Sequence, residues 1–259
     1  MNATANKAEN LDKAEAWMER AAQLGARLVV LPEVFSWRGR AEHECDAAEP
    51  IPGPTTERLA RLARKLRLYL LAGSVLERAD SPKPYNTSVL FNDSGVEIAR
   101  YRKIHLFDVA LAGRVEVQES ARRAAGKDVV VVQTELGCFG LAICYDLRFP
   151  ELFRAQATRG AEVILLPSAF TFVTGAAHWE PLLRARAIEN QVYVIAPNQI
   201  GRAEGGVENY GHSCVVDPWG VVVAMAGNRE GLVCAEIDLN YLETVRRQLP
   251  ALGHRRLSD

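Results

Sequence analysis

The chain has no block of basic residues. Lys plus Arg number 31 against 32 Asp plus Glu, leaving a net charge of −1, so nucleic acid is not a natural partner. No apolar run approaches the roughly 20 residues of a membrane span. The N-terminus is polar and helical in pattern, unlike a secretory signal. The five cysteines (Cys45, Cys138, Cys144, Cys214, Cys234) are odd in number and contain no Cys-x-x-Cys pair. This argues against a zinc site and a disulfide framework, and makes a reducing cytoplasm the simplest home. The five histidines are scattered without a His-x-x-x-His pairing, so no metal is expected. No linker, low-complexity tract or short repeat divides the chain, and residues 1–259 read as one domain.

What is present is an alternation of apolar runs. Residues 7–24 and Thr55–Arg67 carry helical spacing, the first capped by Asn6 or Thr4. Arg27–Leu31, Leu68–Ser74, Thr87–Phe91 and Val96–Tyr101 read as strands, the last two joined by the turn Asn92–Gly95. After a polar excursion, Val129–Gln133 and Gly137–Cys144 read as a strand pair. Helix 150–160, strand Val163–Leu166, helix 177–190 and strand Val192–Ala196 follow. Ser213–Asp217, Val221–Met225 and Val233–Asp238 complete the strands. Such a mixture predicts an α/β protein with a mixed sheet, or two sheets, covered by helices.

Three chemically capable residues stand just beyond apolar strands. Leu28-Val-Val-Leu-Pro-Glu33 ends in a carboxylate, Ala99-Arg-Tyr-Arg-Lys103 in an ammonium, and Leu141-Ala-Ile-Cys144 in a thiol. Cys144 falls where a strand ends and a helix soon begins, a junction that offers an exposed side chain and free backbone N–H groups. A thiolate attacks, a carboxylate takes the proton, and an ammonium steadies the thiolate and the oxyanion that follows. The spacings of 70 and 41 residues mean that a fold must bring the three together. Each has a plainer reading alone: buried Cys144, surface Glu33, solvated Lys103.

The motifs Tyr101-Arg-Lys-Ile-His-Leu-Phe107 and Ile143-Cys-Tyr-Asp-Leu-Arg-Phe-Pro-Glu151, after Leu31-Pro-Glu33, resemble the nitrilase, or carbon–nitrogen hydrolase, superfamily. The resemblance runs from residue 1 to about residue 256. It implies a four-layer αββα sandwich, a Glu33–Lys103–Cys144 catalytic triad, and Glu119 as a further catalytic glutamate orienting the lysine or the substrate amide. It implies no cofactor. Segments His178–Asn190 and Tyr210–Gly220 look like the branch holding deaminated glutathione amidase and omega-amidase, and Ile237–Leu242 with Arg246–Pro250 leans toward the former. The expected reaction cleaves a small carboxylate-bearing amide through a cysteine thioester. Deaminated glutathione, giving 2-oxoglutarate and Cys-Gly, stands first. Omega-amidase action on 2-oxoglutaramate, nitrile or N-carbamoyl amino acid hydrolysis, and an inactive binding protein are the alternatives.

Family members usually begin with an apolar strand ending in Gln-Met just before Asn2-Ala-Thr4. Here Met1 falls at that Met, which predicts a sandwich lacking its usual first strand and leaving a sheet edge open. Further expected contacts of the substrate are Tyr145, through its N–H, and Ser168, Phe170 and Thr171 beyond strand 163–166, with core packing an equal reading for Phe170. Arg148 reads either as a carboxylate anchor or as a partner of Asp146 or Glu151 holding the loop. His105 and His212 show no orienting partner, which sets aside a Cys–His reading. Helix 178–190 reads as core or as the interface of a homodimer or higher homo-oligomer. Cys45 reads as exposed, Cys214 and Cys234 as buried.

Overall fold

The computed structural model describes residues 1–257 apart from 114, 203, 205 and 206. Helix α1 (Lys7–Gln23) opens the fold. The Asn6 side chain accepts from the Glu9 N–H at its start, and Leu11, Ala14, Met18 and Ala21 form its buried stripe. Strand β1 (Leu28–Val30), the short helix α2 (Glu44–Ala47) and helix α3 (Pro54–Leu66) follow. Proline suits the first position of α3, where its missing N–H has no intrahelical partner to lose.

The first sheet adds β2 (Tyr69–Leu71), β3 (Val75–Glu77), β4 (Tyr85–Phe91) and β5 (Glu97–Arg102). β1 and β2 are parallel, and β4 runs antiparallel to β2, β3 and β5. The strand expected over Leu68–Ser74 therefore ends at Leu71, and an unforeseen strand, β3, begins beyond Gly73. Gly73 has φ +46°, and a Cβ there would lie 2.0 Å from the Pro32 carbonyl oxygen. The polar excursion conceals a hairpin, β6 (Asp108–Leu111) and β7 (Val115–Gln118).

The second sheet holds β8 (Val131–Thr134), β9 (Gly137–Leu141), β10 (Val163–Leu165) and β11 (Tyr193–Ala196). After the ribbon β12 (Ile200–Arg202) and β13 (Glu208–Tyr210) come β14 (Cys214–Val216) and β15 (Val222–Met225). Its order is β15-β14-β11-β10-β9-β8. Helix α4 (Pro150–Thr158) links β9 to β10, α5 (Phe172–Asn190) links β10 to β11, and α6 (Leu239–Gln248) closes the order. α5 starts five residues before the expected 177.

Side-chain alternation sorts these elements into four layers. Leu70, Val89 and Phe91 pack with α1 and α3, whereas Leu71 and Leu90 turn to the other face and join the core of the second sheet. In that sheet Gly140 faces α4, where an added Cβ would lie 3.0 Å from the Gln156 side chain. Phe139 and Leu141 therefore face the first sheet. The result is an αββα sandwich with one core between the sheets and a further apolar layer under α1 and α3.

Among the described residues no strand precedes β1, and β1 has a ladder partner, β2, on one side. Val233–Asp238 forms no strand, contrary to expectation. A strand persists through its partner's hydrogen bonds, and no ladder bond among the described residues reaches this segment. Cys234 within it is exposed, not buried. No described helix is long and apolar enough to cross a membrane.

Candidate active site

Glu33 lies just beyond β1 in a tight turn. Val34 adopts φ +42°, a strained value for a β-branched residue, and its N–H donates to Ser74 Oγ at 2.9 Å. Gln199 Nε2 donates to the Glu33 carbonyl at 3.0 Å. The carboxylate is buried and fully engaged. Oε1 accepts from Asn86 Nδ2 at 2.8 Å and from Lys103 Nζ at 3.0 Å, and Oε2 accepts from the Ala169 N–H at 2.8 Å.

Lys103 follows β5 directly, 2% exposed. Its ammonium bridges two carboxylates, with Glu119 Oε2 at 2.9 Å on the other side. Burial alone would lower its pKa. The Glu119 and Glu33 charges override this and raise it, so the group stays cationic. Glu119 sits in a 3-10 turn after β7. It also accepts from the Phe107 N–H at 2.7 Å and from Arg123 Nη1 at 2.7 Å. Burial pushes its carboxyl up, but the charges of Lys103 and Arg123 win and hold it down at about 2.

Cys144 occupies an elbow beyond β9 with φ +47°, and its N–H donates to the Pro167 carbonyl at 3.0 Å. Such a conformation costs on the order of 1–3 kcal/mol and persists only where the surroundings hold it. Asp146, fully buried, does the holding. Its carboxylate accepts from the Ile143 N–H at 2.8 Å, Tyr101 Oη at 2.7 Å and the His105 N–H at 3.0 Å. His105 Nδ1 lies 2.7 Å from the same carboxylate, and the imidazole stacks on Phe149. The sequence gives His105 no orienting partner; the structure supplies one, in service of the elbow. His212 likewise has one, the Tyr210 carbonyl, 2.7 Å from Nδ1.

Burial and then the Glu33 charge push the Cys144 thiol well above its usual range, although Lys103 and the Ala169 N–H pull the other way. At neutral pH the thiol therefore keeps its proton, with the Glu33 carboxylate in the wall of the same cavity. The sequence reading has a carboxylate take the thiol proton, and Glu33 is a carboxylate that shares the cavity with the thiol.

These groups face a cavity of about 890 Å³, including its open mouth. Of the expected substrate contacts, Tyr145, Phe170 and Thr171 line it. Ser168 and Arg148 do not. Ser168 is buried with its hydroxyl donating to the Leu166 carbonyl at 3.2 Å. Arg148 sits over the Phe170 ring, 3.3 Å from His178 Nδ1, and forms no ion pair with Asp146 or Glu151. Unforeseen in the wall are Arg38, Glu44, Arg122 and Arg123. Arg123 stands four residues after Glu119, one helical turn on, a spacing that would have pointed to it. Among the described residues no cluster of three or more His, Cys, Asp or Glu is arranged to hold a metal.

A thiol, a carboxylate and an ammonium enclosed between two facing sheets place the molecule among the thiol-dependent hydrolases. The carbon–nitrogen hydrolase family model matches residues 1–247, and the chain belongs to that family. It is a hydrolase acting on carbon–nitrogen bonds. It is 42% identical over 250 residues to omega-amidase NIT2 of Xenopus tropicalis, covering 96% of this chain and 90% of that protein. It is 45% identical over 262 residues to deaminated glutathione amidase of Homo sapiens, covering 99% and 80%. The crystal structure of the C. elegans NitFhit protein superposes with a TM-score of 0.93 at 42% identity, over 99% of this chain and 63% of that one.

Proposed function

We propose that this chain is an amidase that cleaves a small carboxylate-bearing amide through a thioester on Cys144, with deaminated glutathione as substrate and 2-oxoglutarate and Cys-Gly as products. The observation that carries the reading is the meeting of one thiol, Cys144, with Glu33 and the Lys103 bonded to it in the wall of one cavity. Glu33 takes the thiol proton as sulfur attacks the amide carbon. Lys103 and the Tyr145 N–H face the oxyanion, the latter free in the first turn of the 3-10 helix 144–148. The proton passes from Glu33 to the leaving amine as the C–N bond breaks. Water, deprotonated by Glu33, then attacks the thioester and releases the acid and the thiol. Glu119 keeps Lys103 charged and placed.

A second reading, omega-amidase action on 2-oxoglutaramate, is favoured by the 42% identity to a protein of that name. Side-by-side assay of deaminated glutathione and 2-oxoglutaramate, with product analysis, tests both. Higher kcat/KM on the first supports the proposal, and the reverse order replaces it. Cys144→Ala should abolish turnover on either substrate while melting like the wild type. Appreciable hydrolysis by that variant would sink the mechanism.

We further propose that the chain works as one domain over residues 1–259, in the cytoplasm, as a homo-oligomer. A core cluster drawing residues from Leu71 to Leu242 supports the first. Five free cysteines support the second. Exposed apolar side chains beside the edge strand β15 support the third.

A further inference from the structure

Among the described residues, four cations and four carboxylates reach the wall of the cavity that holds Cys144. Arg38, Lys103, Arg122 and Arg123 reach its wall, against Glu33, Glu44 and Glu119. Glu204, also at the wall, pairs with Arg40 at 3.4 Å. The three inner carboxylates are all engaged by other cations. Lys103 lies between Glu33 and Glu119, Arg123 between Glu44 and Glu119, and Arg122 Nη1 is 2.6 Å from Glu44 Oε1. Arg38 is the cation left over. Its backbone N–H donates to the Thr4 carbonyl, so the residue is anchored. Its side chain donates to no described residue, and Nη1 is enclosed without an acceptor. Burial pulls its pKa down to about 10, Glu33 partly offsetting this, so it remains a cation at neutral pH.

A guanidinium whose Nη1 is enclosed without an acceptor is costly to keep. A fold that keeps one beside its nucleophile gains if an anion completes it. We propose that Arg38 is a specificity-determining residue that binds the carboxylate of the amide substrate. The inference rests on the amidase reading and assigns to Arg38 the contact that the sequence suggested for Arg148. Arg148 stands outside the cavity lining, beside His178. Arg122 is the nearest rival, but its charge is met by Glu44.

The test compares wild type, Arg38→Gln and Arg38→Lys on two amides of equal length, anionic glutaramate and neutral pentanamide. Arg38→Gln should raise KM for glutaramate roughly 10- to 100-fold, the value of a charge-assisted bond. KM for pentanamide should be unchanged. Arg38→Lys should recover part of the loss, since it restores charge but not the planar fork. Glutarate, followed by calorimetry, should bind more weakly to Arg38→Gln by the same factor. The melting temperature of Arg38→Gln should hold or rise, because a cation with an enclosed, unmet donor has been removed. Equal losses on both amides, a lowered melting temperature, or unaltered glutarate affinity would overturn the assignment. If wild type cleaves neither amide, the amidase reading is what fails, and glutarate binding, which needs no turnover, still decides for or against Arg38.

Discussion

At the scale of single residues the site is a balance of buried charges, and each charge can be removed in turn. Glu33 raises the Cys144 thiol pKa while Lys103 lowers it. Glu33→Gln should therefore abolish amide turnover yet let Cys144 ionise at a lower pH than in wild type. The rate of iodoacetamide alkylation against pH measures this; an unmoved alkylation profile would show that Glu33 does not touch the thiol. Lys103→Ala should cost at least the 10²–10³ in rate typical of one oxyanion donor, and Lys103→Arg should not restore it. Its effect on stability also has a sign. Glu119 is held at about 2, so in wild type its contribution is present above the ordinary carboxylate pKa and is lost as pH falls toward 2. Without Lys103, Glu119 keeps Arg123 but loses one of its two cations, so the stability it contributes should be smaller and should be lost at a higher pH on acidification. Melting temperatures of the two proteins across pH 2–7 should show the loss beginning at higher pH in the variant. The residue types of this site were legible because Glu33, Lys103 and Cys144 each follow an apolar strand. Arg38, Glu44, Arg122 and Asp146 were not. They lie in loops or in helices too short for periodicity, where a charged residue reads as solvated until the fold closes over it.

Elements were legible where periodicity was strong and partners were near in sequence. α1, α3 and the β4–β5 hairpin fall within a residue or two of their expected bounds. The β6–β7 hairpin was hidden because none of its described residues is buried, although Val109, Val115 and Val117 are half-buried, so no core face patterns it. Val233–Asp238 has strand composition but lacks a ladder, and composition cannot show that. The break between β2 and β3 is the misread element that matters most for the site, because Gly73 lets the Pro32-Glu33 turn approach the sheet. Gly73→Ala should meet both a left-handed φ and the Pro32 carbonyl, and lose more than about 1 kcal/mol of stability. Glu33 should be displaced along with it, so kcat should fall with the melting temperature. A variant that melts lower with kcat intact would separate the turn from the site.

At the scale of the molecule, the first sheet brings together Glu33, after β1, and Lys103, 70 residues on and after β5, and the second sheet, packed face to face with it, brings Cys144 from the end of β9 to the same cavity. That packing also leaves one sheet end uncovered. β15 is an edge strand whose outward residues Val223 and Met225 are 45% and 41% exposed. Trp219, Val221 and Ile188 are exposed as well, and Ile188 comes within reach of a Cβ built on Gly220, so α5 and the β14–β15 turn share this surface. An edge strand carrying apolar residues and no blocking lysine pairs readily. The occupant that every solution of this protein supplies is a second copy, and a two-fold contact matches such a self-complementary patch to itself. Val223→Lys should therefore shift sedimentation toward the monomer, while Trp219→Ala should weaken the assembly in proportion to the area lost. The substituted positions lie on the far sheet edge from Cys144, in none of the cavity lining. A monomeric wild-type protein at micromolar concentration would remove the proposal; a Val223→Lys protein that stays assembled would move the interface elsewhere on the surface.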